Sequence, residues 1–270
     1  MIPRVASAVG CCLLAALPAC AEPPSQGGGA TLPGPSARPL RVLAEHPHDP
    51  TVFTQGLLWH AGSLWESTGL YGRSRLRQVE AATGRVVREI ALPDDQFAEG
   101  LALDGSRLVQ LTWREGVARV WKLPELEALA PLTYRGEGWG LTSDGTRFIQ
   151  SDGSAALLFR DLEDFRLLGR VVVRRGTRAV PYLNELEWVE GAVYANVWMS
   201  DEILRIDPES GQVTDAWDAS ALLTPDERER AEVLNGIAWD PDRRVFYVTG
   251  KLWPRLFEVE LPRGSEAGAP

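Results

Sequence analysis

The chain has 270 residues and a formal net charge of −9, with 44% hydrophobic and 24% charged residues. That balance excludes a disordered or membrane-embedded chain, and the acidic surplus excludes nucleic acid as a partner, because phosphate binding needs a basic face. The length accommodates one large all-β domain, and a monomer is the default.

In chain order, residues 1–20 read as an export signal, with Arg4 supplying the positive start and an apolar run following it. Leu17-Pro18-Ala19-Cys20 has the form of a lipobox, in which cleavage before Cys20 lets its sulfur take a diacylglyceryl group. Ala19-Cys20-Ala21 also fits a small-residue cleavage site for a freely secreted form. Either way the expected location is outside the cytoplasm, as a periplasmic or cell-envelope lipoprotein or a secreted protein, and a lipid anchor is the only expected membrane contact. With Cys11 and Cys12 in the leader, a mature chain has no cysteine beyond Cys20, which excludes disulfides, thiolate nucleophiles and cysteine metal sites. Residues 21–40 are rich in Pro, Gly and Ser and read as a flexible tether; 41–262 read as the folded domain and 263–270 as a disordered tail.

From residue 41 the sequence breaks into short β-type runs separated by Gly, Asp and Asn turns, such as Ser63-Leu64-Trp65-Glu66-Ser67-Thr68. A short motif recurs: Gln55-Gly56-Leu57, Glu99-Gly100-Leu101, Trp139-Gly140-Leu141, Asn184-Glu185-Leu186 and Asn235-Gly236-Ile237. Successive copies stand 44, 40, 45 and 51 residues apart, the length of one four-stranded propeller blade. Five copies predict an all-β, five-bladed β-propeller. The longest interval contains Thr224-Pro225-Asp226-Glu227, a capping box with proline at the first helical position, and predicts a short surface helix.

Innermost propeller strands converge on one channel, so the residue before each repeated glycine is a candidate to face a common pocket. Those residues are Gln55, Glu99, Trp139, Asn184 and Asn235, a chemically mixed set in which Glu99 is the single carboxylate. An apolar setting beside Phe97 raises a carboxyl pKa and suits it to proton shuttling; pairing with a surface arginine is the ordinary fate of a glutamate. Trp113 and Trp198 end strands at comparable points of their repeats and, with Trp139, are candidates for an aromatic box. Trp59, Trp65, Trp121, Trp188, Trp217 and Trp239 are assigned to packing. Lys251 is one of two lysines among 28 basic residues; beside the ring, its cation would stabilise a developing oxyanion. His46, His48 and His60 all lie near the start, which leaves a three-histidine zinc site little to work with. No Gly-x-Ser-x-Gly elbow and no phosphate loop is present.

The stretches Phe53-Thr54-Gln55-Gly56-Leu57, Gly136-Glu137-Gly138-Trp139-Gly140-Leu141-Thr142, Leu183-Asn184-Glu185-Leu186-Glu187, Ala195-Asn196-Val197-Trp198 and Val248-Thr249-Gly250-Lys251-Leu252-Trp253-Pro254 together resemble the plant and bacterial type of glutaminyl-peptide cyclotransferase. The likeness runs from about residue 41 to residue 261. It implies a five-bladed propeller that closes N-terminal glutamine of peptides or proteins into pyroglutamate, releasing ammonia, with no cofactor and no metal. It also implies that Phe53, Gln55, Phe97, Glu99, Trp113, Trp139, Asn184, Trp198 and Lys251 line the substrate pocket. Phe97-Ala98-Glu99-Gly100 departs mildly from the family's Phe-Gly-Glu-Gly and keeps the acid. The competing readings are a non-catalytic cell-surface propeller that binds peptide or glycan, and a metal-dependent lactonase-like hydrolase. The latter needs several channel carboxylates where the ring offers one.

Overall fold

The computed structural model describes residues 33–263; the export signal, Cys20, most of the expected tether and nearly all of the tail lie outside the described residues. Within them, five antiparallel sheets form the five blades predicted by the repeat. Each begins with an innermost strand at one copy of the motif: Thr54–His60, Ala98–Asp104, Leu141–Ser143, which starts at its motif's last residue, Leu183–Val189 and Leu234–Asp240. Burial falls from the axis outward. In blade 1, Ser63–Thr68 is almost wholly buried whereas the outermost Arg85–Ala91 is mostly exposed. The innermost strands are mostly apolar or neutral, interrupted by the buried Glu99, Glu185 and Glu187, and the outer ones are more polar and exposed.

Blade 5 is completed by the start of the domain. Arg41–Pro47 pairs antiparallel with Arg255–Glu260, so the first long strand closes the last blade. His48, just beyond it, fastens the seam: Nδ1 hydrogen-bonds the Trp253 carbonyl at 2.7 Å and Nε2 lies 3.0 Å from Glu66 Oε1 in blade 1. The stretch His46-Pro47-His48-Asp49-Pro50 is the join between last and first blades. Arg38–Pro39, within the stretch expected as tether, adds a parallel edge to Val213–Asp218 of blade 4. The predicted helix is present as Pro225–Arg228, with both hydrogen bonds of its capping box. Among the described residues no helix is long and apolar enough to cross a membrane.

The motif has a local geometric cause. In blades 1, 2, 4 and 5 the register between the innermost and second strands slips by one residue across the motif. In blade 3 the Trp139 N–H donates to the Ser151 carbonyl while the Ser151 N–H donates to the Gly140 carbonyl, so two residues again oppose one. Every motif is thus a β-bulge, which turns the extra side chain out of the ladder. In blades 1 to 3, backbone of the next blade crowds the glycine that follows. A Cβ on Gly100 would stand 2.6 Å from the Gly140 carbonyl carbon and 2.7 Å from the Trp139 oxygen; one on Gly140 would stand 2.9 Å from Glu185 Cα.

Blade 4 replaces that glycine with Glu185, and this side chain reaches across the axis. Its two oxygens accept the backbone N–H of Leu57 at 3.3 Å and of Ile237 at 2.9 Å, joining blade 4 to blades 1 and 5. Glu187, two residues on, accepts the Trp239 N–H at 2.9 Å. The expectation of a single channel carboxylate is therefore corrected: the inner strand of blade 4 buries two more. Both are held by backbone donors, and among the described residues no cluster of three His, Cys, Asp or Glu side chains is placed to hold a metal ion.

Burial raises the Glu187 carboxyl from the ordinary 4.5 to about 8, against the backbone hydrogen bonds that favour its charged form. A folded-state pKa above the unfolded one contributes stability that is complete below the unfolded value and is lost as pH rises through the folded one. Glu187→Gln keeps an acceptor for Trp239 but cannot ionise. Its urea midpoint, compared with wild type between pH 5 and 9, should gain on wild type as pH rises; parallel profiles would contradict this assignment.

Candidate active site

The bulges deliver what the repeat implied. A cavity of about 490 Å³ at the motif end of the inner strands is lined by Gln55, Phe97, Glu99, Trp113, Trp139, Asn184, Trp198 and Lys251, together with Arg114, Glu137 and Tyr182. Phe53 stands behind this wall, edge-on to Phe97 at 6.2 Å, with the Lys251 Nζ 4.6 Å from its ring centroid. Asn235, the fifth motif residue, is buried one step further back and reaches the pocket through Gln55.

Three of the lining residues share one repeat position. Trp113, Trp198 and Lys251 each follow directly on the second strand of their blades, and their N–H groups bond the carbonyls of Phe97, Tyr182 and Val233. Each of those carbonyls belongs to the residue two before a bulge. Blade 1 has Gly69 there, bonded to the Phe53 carbonyl, and a Cβ on it would strike the Phe97 ring. The blades thus vary one scaffold position among glycine, indole and ammonium.

The aromatic walls meet edge to face. Trp139 and Trp198 lie 6.0 Å apart at 90°, Tyr182 and Trp198 5.8 Å apart at 66°, and Phe97 and Trp113 5.7 Å apart at 60°. Trp198 keeps 39% exposure and Tyr182 50%, so this side of the box is its open rim. The six tryptophans assigned to packing all lie in or against the hydrophobic clusters between blades.

Glu99 is 5% exposed at the floor. Its Oε1 accepts a hydrogen bond from Gln55 Nε2 at 3.1 Å, and Gln55 Oε1 in turn accepts from Asn235 Nδ2 at 3.3 Å. Asn235 also donates to the Thr54 carbonyl, which fixes the orientation of both amides. Asn184 Oδ1 is buried with no hydrogen-bond partner, an acceptor whose desolvation is unrequited until a donor enters the pocket. Burial pushes the Glu99 carboxyl well above the usual carboxylate range; the Lys251 ammonium pulls it down, and Glu137 and Glu115 push it further up. Burial lowers the Lys251 ammonium, with Glu99 and Glu232 opposing. A buried acid raised and a buried base lowered in one pocket is the arrangement in which groups near neutral pH are poised for proton transfer.

The histidines are elsewhere. His48 is consumed in the seam, and His46 faces Glu258 and Tyr247 on blade 5.

The profile of the family described as glutamine cyclotransferase matches residues 11–261. This chain belongs to the glutamine cyclotransferase family. A glutaminyl-peptide cyclotransferase of Arabidopsis thaliana is 41% identical over 232 residues, covering 84% of this chain and 72% of the relative. The solved structure of a glutaminyl cyclase from Myxococcus xanthus superposes with a TM-score of 0.76 at 42% identity, covering 84% of this chain and 97% of that one. The family match thus spans the whole propeller.

Sequence reasoning missed Arg114, Glu137 and Tyr182. Glu137 and Tyr182 flank motif residues, within Gly136-Glu137-Gly138-Trp139 and Tyr182-Leu183-Asn184, so proximity to the repeated motif was the available signal.

Because the Lys251 charge holds the Glu99 carboxyl down, Lys251→Met should raise it further. A pH titration of ¹³C-labelled glutamate carboxyls reads this directly; an unchanged or lower Glu99 midpoint would show that the two groups do not interact.

Proposed function

We propose that this pocket closes the N-terminal glutamine of peptides and proteins into pyroglutamate with release of ammonia, using Glu99 as the proton shuttle. Membership of the glutamine cyclotransferase family supports the reaction. The observation that carries the assignment of Glu99 is a single buried carboxyl at the floor of an aromatic pocket, raised well above the carboxylate range and oriented by Gln55.

In this reading, Trp113, Trp139, Trp198 and Phe97 fold the glutamine side chain back so that its α-amine meets the γ-carboxamide carbon. Such positioning supplies several kcal/mol of the barrier. The amine nitrogen forms a bond to the carboxamide carbon, and Glu99 accepts the proton the nitrogen sheds. Collapse of the tetrahedral intermediate breaks the bond to the amide nitrogen, to which Glu99 returns the proton, so that ammonia departs and Glu99 is regenerated. Lys251 donates to the developing oxyanion. Gln55 is engaged with Glu99, which leaves Asn184 as the second amide for the substrate, with its unpartnered oxygen available to an amine or amide N–H. The peptide chain beyond the glutamine leaves over the open Tyr182 and Trp198 rim.

Every step uses side chains of this chain and none calls for a metal or cofactor. With EDTA present, the wild type should release ammonia from a glutamine-initiated peptide. Glu99→Gln, with an unchanged circular dichroism spectrum, should lose about 10²–10⁴ of that rate. Turnover abolished by EDTA in the wild type, or retained in the variant, would contradict the mechanism. A folded wild type that binds such peptides without turnover would favour the binding-propeller reading.

We also infer that the protein acts outside the cytoplasm, tethered through a lipid on Cys20. The apolar run and the Leu17-Pro18-Ala19-Cys20 sequence support this. Cys20→Ala should move the protein from the membrane to the soluble fraction of a bacterial host; a wild type already soluble there would favour the freely secreted form.

A further inference from the structure

One pocket carboxylate takes no part in the mechanism above. Glu137 sits in the approach to the blade 3 bulge, and its Oε2 accepts both indole N–H groups of the box, Trp113 Nε1 at 2.9 Å and Trp139 Nε1 at 3.0 Å. Its Oε1 accepts the Arg114 Nε–H at 2.9 Å, while the Arg114 guanidinium lies 3.7 Å from the Trp113 ring centroid. The Glu137 backbone is itself held, because its carbonyl accepts from Gln150 Nε2 at 3.0 Å. Trp113 follows the second strand of blade 2 and Trp139 lies in the bulge of blade 3, so one side chain joins the aromatic walls of two blades.

We propose that Glu137 is the positioning residue of this site: it fixes the angle and separation of the Trp113 and Trp139 walls that grip the N-terminal residue of the substrate, without touching the reacting atoms. The proposal rests on the cyclotransferase reading of the pocket.

Each indole has one donor and no acceptor, and an indole at the wall of a cavity rotates unless that donor is bound. A carboxylate accepts from both indoles on one oxygen and from the arginine on the other; an amide oxygen in the Oε2 place would leave its nitrogen opposing the Arg114 Nε–H. Although burial pushes the Glu137 carboxyl up, the hydrogen bonds from Trp139, Trp113 and Arg114 hold it below the ordinary range, so it is ionised wherever the enzyme works. A negative oxygen on the indole edge also enriches the π face turned toward the pocket. The α-amine of an arriving peptide is partly an ammonium near neutral pH, and a richer face holds it better. Arg114 stacked on Trp113 keeps Glu137 turned toward the indoles.

The test uses Glu137→Ala and Glu137→Gln in the whole protein. With ¹⁵N-tryptophan labelling, wild type should show two indole N–H signals with slow hydrogen exchange that are assignable to Trp113 and Trp139 by Trp→Phe replacement. In Glu137→Ala both should exchange faster; in Glu137→Gln, whose amide oxygen can take the Oε2 place but whose nitrogen then faces Arg114, both should exchange at rates between wild type and the alanine variant. For a glutamine-initiated peptide, kcat/KM should fall about 10- to 100-fold in the alanine variant, the loss expected for hydrogen bonds to a charged group, with the glutamine variant between. The acid limb of kcat, which belongs to Glu99, should move to lower pH in both variants, because the Glu137 charge helps to hold the Glu99 carboxyl up. If Glu137→Ala does not fold, Glu137→Gln is combined with Trp113→Phe and Trp139→Phe. On that background the Glu137 substitution should cost nothing, whereas a merely structural glutamate would cost the same on both backgrounds.

Unprotected indoles in the wild type, wild-type kcat/KM in folded Glu137→Ala, or additive losses in the cycle would overturn the proposal. The exchange measurement requires no turnover. A wild type that released no ammonia but protected both indoles would therefore count against the cyclotransferase reading and leave the clamp standing.

Discussion

The site depends on five β-bulges at the start of the five innermost strands. A regular strand alternates its side chains between the two faces of its own blade, into the packing on either side. One extra residue per strand breaks that alternation at a single point and turns one side chain per blade toward the motif-end pocket or the groups immediately behind it. In blades 1 to 3 the glycine that follows lets the next blade's backbone close in. The same local device that seats blades against one another therefore also assembles Gln55, Glu99, Trp139, Asn184 and Asn235 around one pocket. Blade 4 departs from the glycine, and Glu185 spans the axis to bind backbone of two other blades. There a carboxylate does by hydrogen bonding what close approach does elsewhere.

On this frame the chemistry is a matter of dielectric. Glu99 and Lys251 are both buried, and burial drives each toward its neutral form while each charge opposes the other's neutralisation. The effect rests on the burial of both groups at the floor of the pocket. The polar groups divide the remaining work. Asn235 and Gln55 form a chain that orients the acid, and Glu137 binds the walls.

Much of this was legible in the residues. The motif spacing implied the blade number, and the first residues of the five motifs included four that line the pocket. The capping box at Thr224 foretold the helix, and the tryptophans separated correctly into packing and pocket groups. Other features were hidden for physical reasons. A circular fold is closed by chain ends that are far apart in sequence, so nothing local in Arg41–Pro47 tells that its partner is Arg255–Glu260. Glu185 sits where the repeat expects glycine and looks like an imperfect copy until its carboxylate is seen accepting from Leu57 and Ile237. Glu137 lies two residues before a motif residue, but its partners Trp113 and Arg114 are on another blade. Phe53 was expected in the pocket lining and instead backs it, because its ring packs against Phe97 and under Lys251.

The most direct test of the central claim is a crystal structure of the Glu99→Gln variant with a glutamine-initiated peptide bound. The account predicts the α-amine folded back over the γ-carboxamide between the Trp113 and Trp139 faces, with residue 99 within hydrogen-bond reach of the amine, the carboxamide oxygen toward Lys251, and the following residues leaving over Tyr182. An extended glutamine whose amine lies away from residue 99, or a peptide seated outside this pocket, would contradict it.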